Sequence, residues 1–321
     1  MGGRIVVTGR VPEPALDLLR GAGELDAHMQ ETALTVEELH RAISGADAVV
    51  TLLSDRVDDA FLDAAGPQLR VVSNVAVGYN NIDVAACSAR GVVVTNTPGV
   101  LTDATADIAM ALILMVMRRL GEGERVIRSQ VGWRWHMHFM LGTSLAGKTL
   151  GIVGLGQIGT ATARRAKAFG MQIAYSGRRR GDPAVEAELD ARYLTLNEVL
   201  ETSDVVSLHC PLTPETTHLI TAARLAQMRT DAYLVNTTRG PVVDEAALAA
   251  ALRDGVIAGA GLDVFEQEPE VHPGLLELEN AVLIPHLGSA TIETRTAMAV
   301  LAARNAAAVL GGGAPLTPVS A

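Results

Sequence analysis

Residues 149–159 have the sequence TLGIVGLGQIG, in which a short apolar run leads directly into a glycine-rich turn. Thr149–Val153 predicts a buried β-strand, and Gln157–Phe169 predicts a helix after the turn. With G-x-G-x-x-G spacing, the first glycine permits the tight turn, the second lets a pyrophosphate approach the backbone, and the third lets the helix pack on the strand. The N–H groups and the dipole at the helix start then hold the phosphates. The stretch predicts a dinucleotide site, with a purely structural turn as the alternative. The predicted contacts are Gly154, Leu155, Gly156, Gln157, Ile158 and Gly159.

Strand-like and helix-like segments alternate on both sides of this turn. The predicted strands are Arg4–Thr8, Ala48–Leu53, Arg70–Asn74, Gly91–Val94, Thr149–Val153, Gln172–Tyr175, Val205–Leu208, Tyr233–Asn236, Ile257–Leu262 and Ala281–Ile284. The predicted helices include Pro12–Arg20, Val36–Ile43, Ile82–Arg90, Asp103–Leu120, Gln157–Phe169 and Ile292–Leu310. A βαβ rhythm of this kind predicts parallel sheets covered on both faces. The expected fold class is therefore α/β, with doubly wound parallel-sheet domains.

Length and composition restrict the class of protein. A chain of 321 residues is too long for one ordinary core and fits two domains. The net charge of −10 and the 3% aromatic content make a nucleic-acid binder a poor candidate. Cys87 and Cys210 cannot build a disulfide framework or a zinc site, so no metal is expected. The longest apolar run, Ile108–Met117, is too short to cross a bilayer, and no secretory signal opens the sequence, so we expect a cytoplasmic protein without a membrane partner.

The end of the next predicted strand indicates which dinucleotide binds. An NAD site requires an Asp or Glu about 20 residues beyond the turn, bonded to the ribose 2′-OH. Here the strand ends in SGRRR, residues 176–180, which contains three arginines and no carboxylate. An arginine fork is suited to a 2′-phosphate. The sequence therefore predicts a preference for NADPH, with NADH possible and with Ser176, Arg178 and Arg179 as contacts; a solvated basic loop is the alternative.

Charged side chains follow three of the later predicted strands. Arg239 lies just beyond Tyr233–Asn236, the carboxylates Asp263, Glu266 and Glu268 follow Ile257–Leu262, and His286 follows Ala281–Ile284. In open α/β sheets, ligands bind outside the carboxyl ends of the strands. An arginine can clamp a carboxylate, a histidine can deliver a proton near neutral pH, and a glutamate can orient that histidine. Each residue alone could be an ordinary surface or hydrogen-bonding group, but together they predict carbonyl reduction.

Further motifs are spread along the chain: VGYNNID at residues 77–83, TNTPGVLT at 95–102, ATAD at 104–107, NTTRG at 236–240, LDVF at 262–265 with EP at 268–269, and PHLGSAT at 285–291. Together they resemble the D-isomer-specific 2-hydroxyacid dehydrogenase family over nearly the whole chain, and within it the glyoxylate/hydroxypyruvate reductases. Asn80 stands where the family usually has Asp, and Leu287 where it usually has Ile.

The resemblance implies roles for individual residues. Arg239 would bind the substrate carboxylate and carbonyl, and His286 would protonate the carbonyl oxygen with Glu268 as its partner. Implied cofactor contacts are Thr105, Pro211, Thr238 and Asp263. Implied substrate contacts are Leu53, Ser54, Val77, Gly78, Ser289 and Arg295, together with Trp135 from the partner of a homodimer. Ordinary packing is the alternative for Trp135.

The resemblance also implies a discontinuous substrate domain, residues 1–98 with 286–321, of flavodoxin-like fold. Residues 99–285 would form a Rossmann dinucleotide-binding domain. The implied activity is reduction of glyoxylate to glycolate and of hydroxypyruvate to D-glycerate. A 2-keto-D-gluconate reductase or broad 2-oxo acid reductase remains an alternative, as does a non-catalytic dinucleotide-sensing protein. Val77 stands where a phosphite dehydrogenase of this family has Lys, which argues against phosphite as the substrate.

Overall fold

The computed structural model describes residues 3–320 and divides into two compact units. The first unit runs to Leu101 and resumes at Thr291, and the second unit is Thr102–Ala290. The chain thus passes between units three residues after the first predicted boundary and five residues after the second. The assignment of substrate to one unit and cofactor to the other stays a prediction.

The first unit is a five-stranded sheet with helices on both faces. Its elements are β1 (Arg4–Val7), α1 (Glu13–Ala22), β2 (Glu24–Ala27), α2 (Val36–Ile43), β3 (Ala48–Thr51), α3 (Asp59–Ala65), β4 (Val71–Asn74), α4 (Val84–Ala89), β5 (Val93–Thr95) and the C-terminal helix Ile292–Leu310. The strand order is β2-β1-β3-β4-β5, and all pairings are parallel. This is the flavodoxin-like order, with its switch point between β1 and β3.

The second unit is a seven-stranded parallel sheet. It begins with helices α5 (Thr102–Met117) and α6 (Leu120–Arg128). It continues with β6 (Thr149–Val153), α7 (Gln157–Ala168), β7 (Gln172–Ser176), α8 (Pro183–Leu189), β8 (Arg192–Tyr193), α9 (Leu196–Thr202), β9 (Val205–Leu208), α10 (Ala222–Leu225), β10 (Tyr233–Asn236), α11 (Glu245–Arg253), β11 (Gly259–Leu262), α12 (Pro273–Leu276) and β12 (Ala281–Leu283). The final helix Ile292–Leu310 is therefore α13. The strand order β12-β11-β10-β9-β6-β7-β8 is a Rossmann order with its switch point between β6 and β9.

Continuous apolar strands produce these sheets. All five residues of β6 are buried, as are all four of β3, β4, β9 and β11. Strands buried on both faces carry apolar runs instead of alternation, which is typical of parallel sheets. Separate apolar cores lie on the two faces of each sheet. The predicted α/β class with two doubly wound parallel sheets is confirmed.

Several predicted boundaries were wrong. The single helix Asp103–Leu120 is two helices, because Arg119 takes a left-handed φ of 55° and the carbonyl of Met117 accepts a hydrogen bond from Thr143 N–H at 2.8 Å. Strands β2 and β8 were missed. Both lie at sheet edges and are half-exposed or exposed, so they lack the apolar signature of the central strands. Among the described residues, no helix is long and apolar enough to span a membrane.

Candidate active site

The three glycines of the turn after β6 have three different surroundings. Gly154 has a φ of +100°, which side chains rarely adopt, and a Cβ there would lie 2.9 Å from the carbonyl carbon of His209. A Cβ on Gly159 would lie 2.3 Å from the carbonyl oxygen of Gly154, whereas a Cβ on Gly156 would meet nothing within 4 Å. Helix α7 also starts without a side-chain cap. The turn therefore fits a pyrophosphate, because open space adjoins Gly156 and the first N–H groups of a helix are available. Between these glycines, Leu155 and Ile158 are half-buried and Gln157 is exposed.

The arginine loop, residues 177–181, is anchored at one arginine and open at the other two. Arg180 Nε donates to both carboxylate oxygens of Glu186 at 2.9 Å, and Gly181 N–H donates to Tyr175 Oη at 2.8 Å. The pKa of Glu186 is lowered by Arg180 and Tyr175. Arg178 and Arg179 are exposed. All three arginines are thus exposed, Arg180 at 68%, but only Arg180 is paired with a carboxylate that anchors the loop.

Ser176 occupies the last position of β7. It is 5% exposed, and its carbonyl oxygen accepts a hydrogen bond from Gly154 N–H at 2.9 Å. The glycine-rich turn and the strand end that carries the arginine loop are therefore hydrogen-bonded to each other. This is the adjacency that a dinucleotide site needs, since the pyrophosphate and the ribose bind at successive strand ends.

Glu268 and His286 form a hydrogen-bonded pair beyond the carboxyl ends of β11 and β12. The distance from His286 Nδ1 to Glu268 Oε2 is 2.7 Å, and both side chains are about one-third exposed, at 30% and 34%. Burial raises the pKa of Glu268, but the hydrogen bond and charge of His286, with the charge of Arg239, outweigh it and leave the pKa below 4.5. The glutamate is therefore ionised at neutral pH.

Arg239 follows β10, in the same second unit as this pair. Its guanidinium is largely desolvated, so burial lowers its pKa, while the charge of Glu268 acts in the opposite direction. Arg239 Nη1 donates a hydrogen bond of 2.7 Å to the carbonyl oxygen of Thr238. Asn236 supports the same turn, because its Nδ2 donates to the Arg239 carbonyl at 2.9 Å and its Oδ1 accepts from Thr238 N–H at 3.0 Å.

The loop that carries His286 is held by two buried side chains. Asp263 is 1% exposed and accepts hydrogen bonds from Leu287 N–H at 2.5 Å and from Gly288 N–H at 2.8 Å. Thr105 Oγ1 donates to the Gly288 carbonyl at 3.1 Å. His286 itself takes a φ of +50°, a conformation uncommon for any residue with a Cβ. Burial raises the pKa of Asp263, against the effect of its two N–H donors.

Asp263 and Thr105 were predicted from the family resemblance as cofactor contacts. In the structure both bind the backbone of the His286 loop, and contact with a cofactor stays a prediction. Three further predicted residues of the second unit differ in exposure. Pro211 is exposed and its carbonyl accepts from Thr216 Oγ1 at 2.6 Å, Ser289 is half-buried, and Trp135 is 74% exposed.

The predicted substrate residues of the first unit lie on two turns. Leu53 and Ser54 follow β3, and Val77 and Gly78 follow β4, its neighbour in the sheet. These turns are therefore adjacent at the carboxyl edge of the five-stranded sheet. Arg295 is exposed, near the start of α13.

Three asparagines that the sequence reasoning missed hold these turns in place. Asn74 Nδ2 donates to the Gly78 carbonyl at 3.1 Å, and Asn81 Nδ2 donates to the Asp55 carbonyl at 2.9 Å. Asn96 Nδ2 adds a bond of 2.8 Å to the Val77 carbonyl. Asn81 belongs to the VGYNNID motif, so the signal was present, but its partners come from another strand and cannot be inferred from spacing.

His209 is a second residue that sequence reasoning missed. It follows β9, and its backbone contacts the glycine-rich turn at Gly154. Burial lowers its pKa to about 4, so the ring is neutral, and Nε2 lies 2.9 Å from Ser207 Oγ. Across residues 3–320, no group of three or more His, Cys, Asp or Glu side chains could hold a metal ion.

Comparison with known proteins assigns the family. The model of the D-isomer specific 2-hydroxyacid dehydrogenase, NAD binding domain, matches residues 110–288. A glyoxylate reductase of Thermococcus onnurineus is 48% identical over 99% of this chain and 96% of its own length.

Solved structures agree. A glyoxylate reductase from Paecilomyes thermophila superposes with a TM-score of 0.90 at 33% identity, covering 99% of this chain and 98% of that one. The NADPH-dependent glyoxylate/hydroxypyruvate reductase of Sinorhizobium meliloti, solved with NADP and malonate, gives 0.85 at 36% identity, covering 100% and 97%. A nicotinamide dinucleotide site and a dehydrogenase activity follow from the family. This chain belongs to the D-isomer specific 2-hydroxyacid dehydrogenase family.

Proposed function

We propose that this protein is a cytoplasmic, NADPH-preferring reductase that converts glyoxylate to glycolate and hydroxypyruvate to D-glycerate. The observation that carries the proposal is the Glu268–His286 pair with Arg239, grouped at the carboxyl edge of the Rossmann sheet. The relatives named glyoxylate reductase, at 48% identity over the full chain, support glyoxylate as a substrate. The Sinorhizobium meliloti enzyme supports hydroxypyruvate and NADPH.

The proposed mechanism gives each side chain one task. Arg239 binds the substrate carboxylate and carbonyl through its planar fork of donors. His286 holds Nδ1–H toward Glu268, which leaves Nε2–H to donate a proton to the carbonyl oxygen. The Glu268 carboxylate lies 2.7 Å from His286 Nδ1 and fixes the orientation of the ring. The glycine-rich turn after β6 would hold the dinucleotide, whose reduced nicotinamide would supply a hydride to the carbonyl carbon, so that the proton from His286 completes the hydroxy acid.

The remaining predicted contacts keep the roles that the resemblance implies. The backbone N–H groups of Val77 and Gly78 bind the substrate carboxylate, with Leu53, Ser54, Ser289 and Arg295 as further substrate contacts. Thr105, Thr238, Asp263 and Pro211 contact the cofactor. The exposed Arg178 and Arg179, with Ser176, support a 2′-phosphate site, because Arg180 is already paired with Glu186.

We also propose a homodimer in which Trp135 reaches the partner's substrate site. Large apolar side chains are exposed along one segment of the second unit: Leu120, Ile127, Val131, Trp133, Trp135, Met137 and Leu141. A contiguous exposed apolar patch marks an interaction surface. Sedimentation at micromolar concentration should give a dimer. A Trp135→Ala variant should have a raised KM for hydroxypyruvate, and unchanged kinetics would remove Trp135 from the site.

A substrate and cofactor panel tests the function. NADPH and NADH are each assayed against glyoxylate, hydroxypyruvate, pyruvate and 2-keto-D-gluconate, following loss of reduced nicotinamide absorbance. The proposal expects the highest kcat/KM for NADPH with glyoxylate or hydroxypyruvate. A higher value for 2-keto-D-gluconate would keep the mechanism and change the substrate. Tight NADPH binding without turnover of any 2-oxo acid would contradict the enzyme assignment.

A further inference from the structure

The turn that carries Arg239 and the loop that carries Glu268 are in direct backbone contact. A Cβ on Gly240 would lie 1.8 Å from the carbonyl carbon of Phe265, so no side chain fits at this position. Gly240 is buried and its φ is not positive. Glycine is therefore needed here because two backbones approach closely, and not because of unusual torsion angles. The relative position of Arg239 and Glu268 therefore depends on this contact.

Two glutamates outside the proposed catalytic group hold the contact in place. Glu245 N–H donates to Glu266 Oε1 at 2.8 Å, and Glu266 N–H donates back to Glu245 Oε1. Glu245 is the first residue of α11, where N–H groups lack partners within the helix, so the Glu266 carboxylate satisfies one of them. The two residues thus join the start of α11 reciprocally to the segment 264–268.

The Glu245 side chain is buried, at 5% exposure, and its carboxylate accepts from the backbone N–H of residue 266, two residues before Glu268. His218 Nε2 lies 3.3 Å from Oε2 of Glu266, and the His218 N–H donates to the carbonyl of Pro241, next to Gly240, at 2.7 Å.

We propose that Glu245 and Glu266 are positioning residues that fix Glu268 and Arg239 relative to each other during reduction. This role rests on the proposed function of Arg239, Glu268 and His286. Two facing carboxylates are a costly means of adding stability alone, because burial and the charge of Glu266 both oppose ionisation of Glu245 and raise its pKa. Reciprocal bonds to backbone N–H groups instead give a defined geometry, on which the rate of a reaction between aligned groups depends.

The test uses Glu266→Ala, which removes the acceptor, and Glu266→Gln, whose amide oxygen can still accept from Glu245 N–H. Thr195→Ala is the control, because Thr195 caps α9 in the same unit and far along the chain from the proposed catalytic residues. Steady-state kinetics with glyoxylate and NADPH, the NADPH dissociation constant, Tm and the pH dependence of kcat/KM are measured for each.

We expect kcat of Glu266→Ala to fall roughly tenfold or more, since small displacements of reacting groups have large effects on rate. Glu266→Gln should recover most of that loss, and the NADPH dissociation constant should stay near the wild-type value. The acid limb of kcat/KM should move to higher pH in the alanine variant. The charged groups that face Glu268 are His286, Arg239 and Asp263, and the first two lower its pKa only while the loop holds them together.

A merely structural role predicts a different pattern. Glu266→Ala would then lose Tm like Thr195→Ala, with kcat and the acid limb unchanged, and this result would overturn the positioning role alone. If Glu266→Ala does not fold, Glu245→Gln provides the same readouts with a milder change, and a wild-type rate and pH profile in that variant would also overturn it. Absence of 2-oxo acid reduction by the wild-type protein would instead overturn the proposed function and, with it, this role.

Discussion

The glycine-rich turn and the His286 loop lie at the same edge of one sheet, but their conformations are fixed by different groups. The turn is defined by backbone: Gly154 supplies an unusual φ, Gly156 leaves space and Gly159 permits close packing. The His286 loop is defined by side chains from other elements: Glu268, after β11, contacts His286, while Asp263, after β11, and Thr105, in α5, bind the amide and carbonyl groups that follow it. The turn is thus encoded within eleven consecutive residues, 149–159, whereas the proposed catalytic residues follow three different strands, β10, β11 and β12.

The largest expected effect is the loss of kcat on substitution of His286. His286→Ala should lower kcat by about a hundredfold to ten-thousandfold, the range typical of a lost general acid. The NADPH dissociation constant should not change, because the dinucleotide turn depends on backbone. Stopped-flow or steady-state kinetics with glyoxylate measure the first quantity and fluorescence titration the second. A kcat within a few-fold of wild type would remove His286 as the proton donor.

Gly156→Ala and Gly159→Ala form a matched pair of substitutions in the glycine-rich turn. A Cβ at 156 meets no protein atom within 4 Å, so Tm should stay unchanged while NADPH binds roughly tenfold more weakly, about 1.4 kcal/mol. A Cβ at 159 would lie 2.3 Å from the Gly154 carbonyl oxygen, and the unit should lose about 1 to 3 kcal/mol of stability. Calorimetry and titration separate the two effects. Equal losses of Tm in both variants would contradict different roles for the two glycines.

The pH dependence of kcat/KM in a Glu268→Gln variant tests the role of this carboxylate. Because its surroundings hold the pKa of Glu268 below the ordinary value, the acid limb of the wild-type kcat/KM profile should lie below the range of a free glutamate. The amide cannot titrate, so the limb should disappear while kcat falls roughly tenfold to a hundredfold. The same lowered pKa means that the ionised pair adds stability above pH 4.5 and that this stability is lost as pH falls through the folded-state pKa. A wild-type limb in the glutamine variant would assign the titration to another group.

The most selective expected effect concerns the arginine loop, because it is confined to one of the two cofactors. Arg178→Ala should weaken NADPH binding about tenfold, the scale of one charge-assisted hydrogen bond, and leave NADH binding unchanged. Arg180→Ala is the control for loop order, because Arg180 is paired with Glu186. Equal weakening of both cofactors by Arg178→Ala would indicate loss of general charge attraction and not recognition of a 2′-phosphate.

The elements that could be predicted from the sequence are those whose signals lie within a single segment. Strands Thr149–Val153, Val205–Leu208 and Tyr233–Asn236 and helix Ile292–Leu310 were predicted with the bounds that the structure has, because apolar runs and caps are encoded within each segment. Strand β2, with the sequence ELDA, was missed because an edge strand need not be apolar on both faces. The break at Arg119 was missed because it depends on a hydrogen bond from Thr143, 24 residues away.

Sequence could also point to Arg239 and His286, since each follows a predicted strand, while the family resemblance singled out Glu268 among the carboxylates after Ile257–Leu262. It could not show that Glu245 and Glu266 join α11 to the Glu268 loop, or that Asn74 and Asn81 hold two neighbouring turns. Such residues act on backbone groups far along the chain, and nothing in their spacing identifies the partner. The supporting residues of a site are therefore harder to predict than the residues that bear its chemistry.

The most direct test of separate roles for the glycine-rich turn and for His286 is to measure the same two quantities on one variant of each. The NADPH dissociation constant and the kcat at saturating NADPH and glyoxylate are determined for Gly156→Ala and for His286→Ala. We predict that Gly156→Ala loses affinity and keeps kcat, while His286→Ala keeps affinity and loses kcat. Loss of both quantities in both variants would show that the two sites are not separable and would contradict this account.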